Sequence, residues 1–350
     1  MNDGGFRMKS KKSTIFNVIF LIIIFLLTIW YVFSGEDLKA IYSNIHNADS
    51  AYWLIPVILV VGFILSEALV IHYLMRSVGQ ETKLSHCFLY SFIGFFFSCI
   101  TPSASGGQPA QMVYMKKDGI PLTTSTLVLM IVAITYKAVL VIVGAVIFIF
   151  RPSRIMHFLH PVLGWCIFGM ILNVIAIAFM ITAIFQPAIL RWMISTMLKL
   201  GKKIHLVRHE ENIIKRTNSF ITRYNDAASF FIKNKIVIVN AFILTFVQRL
   251  FIFLITYFVC LSFHFEQENI VTISCLQAMI YVAIDMLPLP GGMGINEALF
   301  HKTFEPMLLH LTTSVLVISR GLSYYTQLLI SALFTIVAQF FIGKDKGEEK

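Results

Sequence analysis

Pro288-Leu289-Pro290-Gly291-Gly292-Met293-Gly294-Ile295-Asn296-Glu297 interrupts an apolar stretch that begins at residue 270. A run of that kind approaches the roughly 20 residues a helix needs to cross a bilayer, yet it stops on two prolines and three glycines. Proline removes a backbone donor and clashes with the preceding turn. Backbone groups freed at membrane depth are tolerated only where protein buries them or water reaches them. The same pattern occurs earlier. Residues 84–100 are apolar and stop at Thr101-Pro102-Ser103-Ala104-Ser105-Gly106-Gly107-Gln108-Pro109, and the short segment 110–115 then ends at Lys116-Lys117. Two broken apolar segments organise the chain, and the remainder can be read outward from them.

Between and around the breaks lie unbroken apolar runs: 14–33, 51–75, 123–150, 161–185, 236–261 and 312–342. Only 13% of the 350 residues are charged, against about 25% in soluble domains, and 57% are hydrophobic. This excludes a soluble enzyme, a nucleic-acid-binding domain and a disordered scaffold. The net charge of +10 is read through the positive-inside rule rather than as a nucleic-acid footprint. Arg7, Lys9, Lys11 and Lys12 precede the first run, which is longer than the apolar core of a secretory signal, so 14–33 is expected as a retained helix with a cytoplasmic N-terminus. Residues 186–235 carry Arg191, Lys199, Lys202, Lys203, Arg208, Lys215, Arg216, Arg223, Lys233 and Lys235 against Glu210, Glu211 and Asp226, and belong in the cytoplasm.

That assignment constrains the breaks. If 84–100 crossed fully, 110–115 is too short to return, and the basic region would fall outside. A re-entrant hairpin over 84–117, entering and leaving on the cytoplasmic side, resolves the conflict. The matching hairpin over 270–305 would enter from the opposite face. The expected architecture is an all-α polytopic protein in a single membrane domain, multi-pass in the cell membrane. It has about six full spans and two re-entrant hairpins, with both termini cytoplasmic. The hairpins belong to an inverted repeat, 51–150 and 236–342, joined by helix 161–185 and the basic segment. Both breaks read as a Gly-Gly turn followed by a short polar-tipped helix. Lys137 follows Gly106 much as Arg320 follows Gly291, and Glu67 precedes the first break much as Arg249 precedes the second. Paired broken segments in inverted repeats are the sequence pointer to a mid-membrane transport site.

A charge near the bilayer centre costs about 2.5–3.5 kcal/mol on insertion scales. Glu67, Lys137, Arg249, Asp285, Glu297 and Arg320 all fall at such depths. Three cations and three carboxylates can neutralise one another and merely lock helices, or they can line a cavity for a charged headgroup. The half-helix starts at Gln108–Gln111 and Gly294–Glu297 add N–H groups and positive dipole ends that favour anions, with Glu297 offsetting the second. The candidate substrate-binding set is therefore Glu67, Gly106, Gly107, Gln108, Gln111, Lys137, Arg249, Asp285, Gly291, Gly292, Gly294, Asn296, Glu297 and Arg320, with Tyr324 one turn beyond Arg320 on the same face. A phosphate held by Arg249, Arg320 and Lys137 is the expected consequence.

Other chemistries are not indicated. The five cysteines form no C-x-x-C pair, and His205 and His209 do not extend to a zinc motif, so neither metal nor cofactor is expected. No nucleophile–base constellation and no Walker sequence occur. Ile213, Ile214, Thr217, Phe220, Ile221, Tyr224, Ala228 and Phe231 recur at helical spacing opposite Lys215, Arg216 and Arg223. This predicts a basic amphipathic helix, lying on anionic lipid of the inner leaflet or packed on the bundle as a connector.

Pro288 to Ala298 resembles the Pro-Gly-Gly-x-Gly-x-x-Glu-Ala signature of the flippase-like membrane domain of lysylphosphatidylglycerol synthases. Gly106-Gly107-Gln108-Pro109-Ala110-Gln111, leading into Asp118-Gly119-Ile120-Pro121, and Arg320 with Tyr324 are similar as well. The resemblance covers roughly 14–342. It implies movement of an amphiphilic phospholipid between leaflets, such as lysyl-phosphatidylglycerol, by a stand-alone member without the synthase domain. The alternative it implies is a phosphatidylglycerol lysyltransferase-type enzyme of lipid modification, or a subunit serving one. Phospholipid is the implied partner. A separate synthase protein and a second copy of the chain are the protein partners left open, and no nucleic acid is expected.

Overall fold

The computed structural model describes residues 38–186, 224, 228–231 and 233–342, and no strand occurs among them. The expected helix at 14–33, most of the basic segment including His205 and His209, and the charged tail lie outside the described residues. The helices are α1 (Leu38–Asn47), α2 (Leu54–Ser77), α3 (Leu84–Cys99), α4 (Gly107–Lys117), α5 (Leu122–Phe150), α6 (Ser153–Leu159), α7 (Leu163–Phe185), α8 (Lys235–Ser262), α9 (Ile270–Ile284), α10 (Ile295–Leu308), α11 (Thr312–Arg320) and α12 (Thr326–Phe341). A π-helical turn, Gly321–Tyr325, joins the last two. The expected final helix over 312–342 is thus continuous in direction but underwound at its middle.

Among the described residues, five helical stretches are long and apolar enough to cross a bilayer: Ser50–Ser77, Leu122–Phe150, Ser153–Ile184, Lys235–Ser262 and Pro290–Phe341. The apolar helices that lead into the two breaks, α3 and α9, fall short of that length. Local chemistry sets several starts. The Asp49 carboxylate accepts from the Ala51 N–H (3.0 Å), and the Asn269 side chain accepts from the Thr272 N–H (2.8 Å). Each satisfies a donor that has no partner in the first turn.

The long helices α2 and α8 pack along their length, and Gly62 lets the Phe251 ring lie against α2. Contacts at the two ends of the bundle are distinct. At one end the Asp49 N–H donates to the Ser262 carbonyl (2.8 Å), Trp53 Nε1 donates to Ser262 Oγ (3.1 Å), and Arg154 pairs with Glu268. At the other, His86 Nδ1 meets Asp118 (2.7 Å), Tyr90 bonds the same carboxylate, and Asn240 donates to the Tyr73 hydroxyl (2.9 Å). The open ends of α3 and α4 therefore meet at this second end. The open ends of α9 and α10 lie at the first, where α10 packs on α6 and the turn after it.

Two apolar clusters follow from this arrangement. One contains Phe63, Ile64, Leu140, Ile252, Phe253 and Ile280. The other contains Ala68, Ile71, Met75, Met115, Ile131 and Ala241. Residues of α2, α5 and α8 contribute to both, so each of these helices crosses a seam between the clusters. Helix α7 is the least buried span. Trp165, Phe168, Ile171, Ile175 and Phe179 face outward from it, as a helix bordered by lipid would present them. Tyr224, Ala228 and Phe231, from the predicted amphipathic helix, are buried in the second cluster, and the Tyr224 hydroxyl bonds Met130 Sδ (3.5 Å). These three residues pack on protein, as the connector reading anticipates.

Candidate functional site

The polar residues of α2, α5 and α8 fall on the seam. Glu67 lies between Ile64 and Ala68, Tyr136 and Lys137 between Ile131 and Leu140, and Gln248 and Arg249 between Ala241 and Ile252. The two breaks meet at the same level. Ser103 Oγ donates to the Leu287 carbonyl (3.1 Å), and the Tyr324 hydroxyl donates to the Cys99 carbonyl (2.9 Å) at the end of α3. The Cys99 carbonyl, left over at the end of α3, thus finds its partner on the last helix, while Ser103 ties the first break to the second.

The two glycine pairs are not equivalent, contrary to the expectation of two alike Gly-Gly turns. Gly291, Gly292 and Gly294 all adopt positive φ (+57°, +66° and +84°). In the first break the positive φ values fall on Ser103 and Ala104 instead. Gly107 is required there for proximity: a Cβ would lie 2.1 Å from Ser98 Oγ and 2.6 Å from the Gly94 carbonyl oxygen. Thr101 then closes the turn, accepting from the Gly106 N–H (2.8 Å) and donating to the Phe97 carbonyl (2.6 Å).

The predicted charges separate into committed pairs and one exception. Lys137 Nζ meets Asp285 Oδ2 at 2.5 Å, and the Tyr136 hydroxyl donates to Asp285 Oδ1 (2.5 Å). This links α5 to the end of α9. Arg320 Nε meets Glu297 Oε1 at 2.8 Å, its Nη2 donates to the Gly291 carbonyl (3.1 Å), and its guanidinium lies over the Tyr324 ring (4.6 Å). Glu297 is doubly engaged, because its Oε2 accepts from the Gly294 N–H (2.6 Å). The expected free anion site at the start of this half-helix is therefore filled by the protein's own carboxylate. Glu67 accepts from Gln111 Nε2 (2.9 Å), which also reaches the Tyr90 carbonyl (3.2 Å).

Arg249 is the exception. It is 7% exposed, and among the described residues it makes no ion pair. Its guanidinium sits 3.3 Å from the centre of the Tyr136 ring and 4.9 Å from that of Phe63, and its Nε is buried without a hydrogen-bond partner. Glu67 lies within its electrostatic reach. The phosphate expected on three cations thus has one uncommitted cation available, since Arg320 and Lys137 already hold carboxylates.

The structure accordingly gathers Glu67, Gln111, Lys137, Arg249 and Asp285 around one patch of the seam. It gathers Gly291, Glu297, Arg320 and Tyr324 around another, and Tyr281 is within reach of both arginines. Gln108 does not join either group. It is exposed, with Nε2 3.4 Å from the Leu129 carbonyl. Asn296 is buried beside Glu297 but bonds neither charge. Tyr136, Phe63, Gln248 and Tyr281 were not among the expected residues. Tyr136 stands next to Lys137 and Gln248 next to Arg249 in the sequence, which is the one signal that could have drawn them in.

The profile of a family described as "Lysylphosphatidylglycerol synthase TM region" matches residues 18–331. The chain belongs to this family. It is a membrane protein of lipid modification or translocation. The match spans both broken segments and every charged residue of the seam. No curated protein matches the chain.

Proposed function

We propose that this protein is a lipid translocase of the cell membrane that moves a phosphate-bearing phospholipid, such as an aminoacylated phosphatidylglycerol, between leaflets. In this reading α3–α4 and α9–α10 are re-entrant hairpins of an inverted repeat, entering from opposite faces. The open ends of the two hairpins lie at opposite ends of the bundle, which supports that arrangement. Both termini are cytoplasmic, and the basic 186–235 segment touches anionic lipid of the inner leaflet.

The observation that carries the reading is Arg249. Removing an ion from water costs several kcal/mol even after relaxation. Stacking on aromatic rings returns only about 0.5–2 kcal/mol each. A buried guanidinium with no carboxylate bonded to it, on the seam where the two broken segments meet, is a receptor for an anion. A phosphodiester supplies one and suits the guanidinium's planar fork.

The test is reconstitution in liposomes carrying fluorescent phosphatidylglycerol, with dithionite quenching of the outer leaflet. Protein-dependent access of the inner-leaflet probe is expected, and Arg249→Gln should fold yet lose most of it. Equal rates in protein-free liposomes, for aminoacylated and plain phosphatidylglycerol alike, would overturn the reading. The family's description as a synthase favours a second possibility, a part in lipid aminoacylation. Transfer of lysine from lysyl-tRNA to phosphatidylglycerol by the purified protein would replace the translocase reading with that one.

A further inference from the structure

Beneath the Arg320–Glu297 pair lies a small internal chamber between α8, α9, the start of α10 and the end of α11. Its lining includes Ile252, Thr256, Gln277, Asn296, Ser319 and Arg320. The space open to the centre of a water-sized sphere is ≈ 10 Å³, at the lower bound of what one water requires (about 10–15 Å³). Two side-chain atoms from this lining, Asn296 Oδ1 and Ser319 Oγ, are buried with no hydrogen-bond partner. Asn296 is 2% and Ser319 6% exposed. Orphaned polar atoms so deep are uncommon, and each calls for an unseen partner.

The chemistry of the lining selects that partner. Asn296 Oδ1 only accepts, so the occupant must donate a hydrogen bond. An anion is excluded by that requirement. A cation is opposed by Arg320, whose charge borders the chamber. The volume excludes anything larger than a single small molecule. Two neighbouring hydroxyls are already used, since Thr256 Oγ1 donates to Gln277 Oε1 (3.0 Å) and Ser323 Oγ donates to the Ser319 carbonyl (2.6 Å).

We propose that the chamber binds one ordered water molecule, which donates to Asn296 Oδ1 and accepts from the Ser319 hydroxyl. The bridge ties the first turn of half-helix α10 to α11 immediately before the π-helical turn. Asn296 is followed by Glu297, and Ser319 by Arg320, so the water joins the residues adjoining the buried ion pair. It holds the broken segment and the last helix in register where their backbones share no hydrogen bond of their own. This inference does not depend on lipid being moved.

Two measurements on the full chain test it. A map resolving other ordered waters should contain a peak about 2.7–3.2 Å from both atoms. In thermal unfolding, Ser319→Ala and Asn296→Leu should each lower Tm, because each strands the water and the remaining partner, and the double variant should lose less than the two single losses added together. A dry chamber gives the opposite sign: removing either orphaned atom relieves a desolvation penalty and raises Tm. That rise, an empty map at this position, or a Tm that increases with sodium but not with choline, which marks a bound cation, would each overturn the proposal. Ser319→Ala removes a single oxygen, so its sign remains readable if Asn296→Leu fails to fold.

Discussion

Asp285 and Arg249 lie on the same seam, yet their substitution should act with opposite sign. Asp285 is the counter-charge of Lys137 and the acceptor of the Tyr136 hydroxyl. Asp285→Asn leaves a buried ammonium without its anion, a change worth about 3–5 kcal/mol, and should lower the unfolding midpoint in detergent sharply. The pair Lys137→Met with Asp285→Leu should recover most of that loss, because a well-packed apolar pair often replaces a buried ion pair at little cost. Arg249→Gln removes a buried charge that bonds no carboxylate, so its midpoint should hold or rise while lipid movement falls. A midpoint that dropped as far as that of Asp285→Asn would mean that Arg249 is a structural counter-ion, and its role as an anion receptor would fail. All six charges are visible in the sequence, because a charge in an apolar run stands out by itself. The sequence did not separate committed cations from the free one. That distinction depends on Tyr136 and Phe63 reaching Arg249 from other helices, and no spacing within one segment encodes it.

At the scale of elements, the breaks were legible and their mechanisms were not. Pro288-Leu289-Pro290-Gly291-Gly292 and Thr101-Pro102 cannot carry the preceding helix forward, and Gly107-Gln108-Pro109 instead starts a new one. The two glycine pairs look alike, yet one supplies positive φ and the other a close approach of helices. Gly291→Ala places a side chain at φ +57°, 2.2 Å from the Tyr324 ring. Left-handed strain alone costs about 1–3 kcal/mol, and Tyr324 must move, releasing the Cys99 carbonyl it bonds. Gly106→Ala meets chiefly the Thr101 side chain at 2.6 Å, at an ordinary φ of −84°, so the smaller loss is expected there. Thermal unfolding of the two variants checks the order, and equal losses would refute the division of roles. The π-helical turn at Gly321–Tyr325 was not foreseen. Its one-residue underwinding leaves the apolar pattern of 312–342 almost unchanged, so periodicity carries no trace of it.

At the scale of the molecule, the question is which face of the membrane each break opens to. The bonds at one end of the bundle join 49, 53, 154, 262 and 268, and those at the other join 73, 86, 90, 118 and 240. The charge bias of the loops predicts that the second end is cytoplasmic. The two breaks then open to opposite faces and meet at Ser103 and Leu287 between them. Lys116 and Glu305 are exposed near the open ends of the two broken segments. In a cysteine-free background, Lys116→Cys should react with a membrane-impermeant maleimide only from the cytoplasmic side, and Glu305→Cys only from the outer side. Labelling of both from one side would make the repeat parallel rather than inverted. The meeting of the tips would then no longer define a mid-membrane site, and Arg249 would need another route to its anion. Labelling from opposite sides places the uncommitted cation where a headgroup entering from either leaflet has the same depth to travel, as reversible movement between leaflets requires.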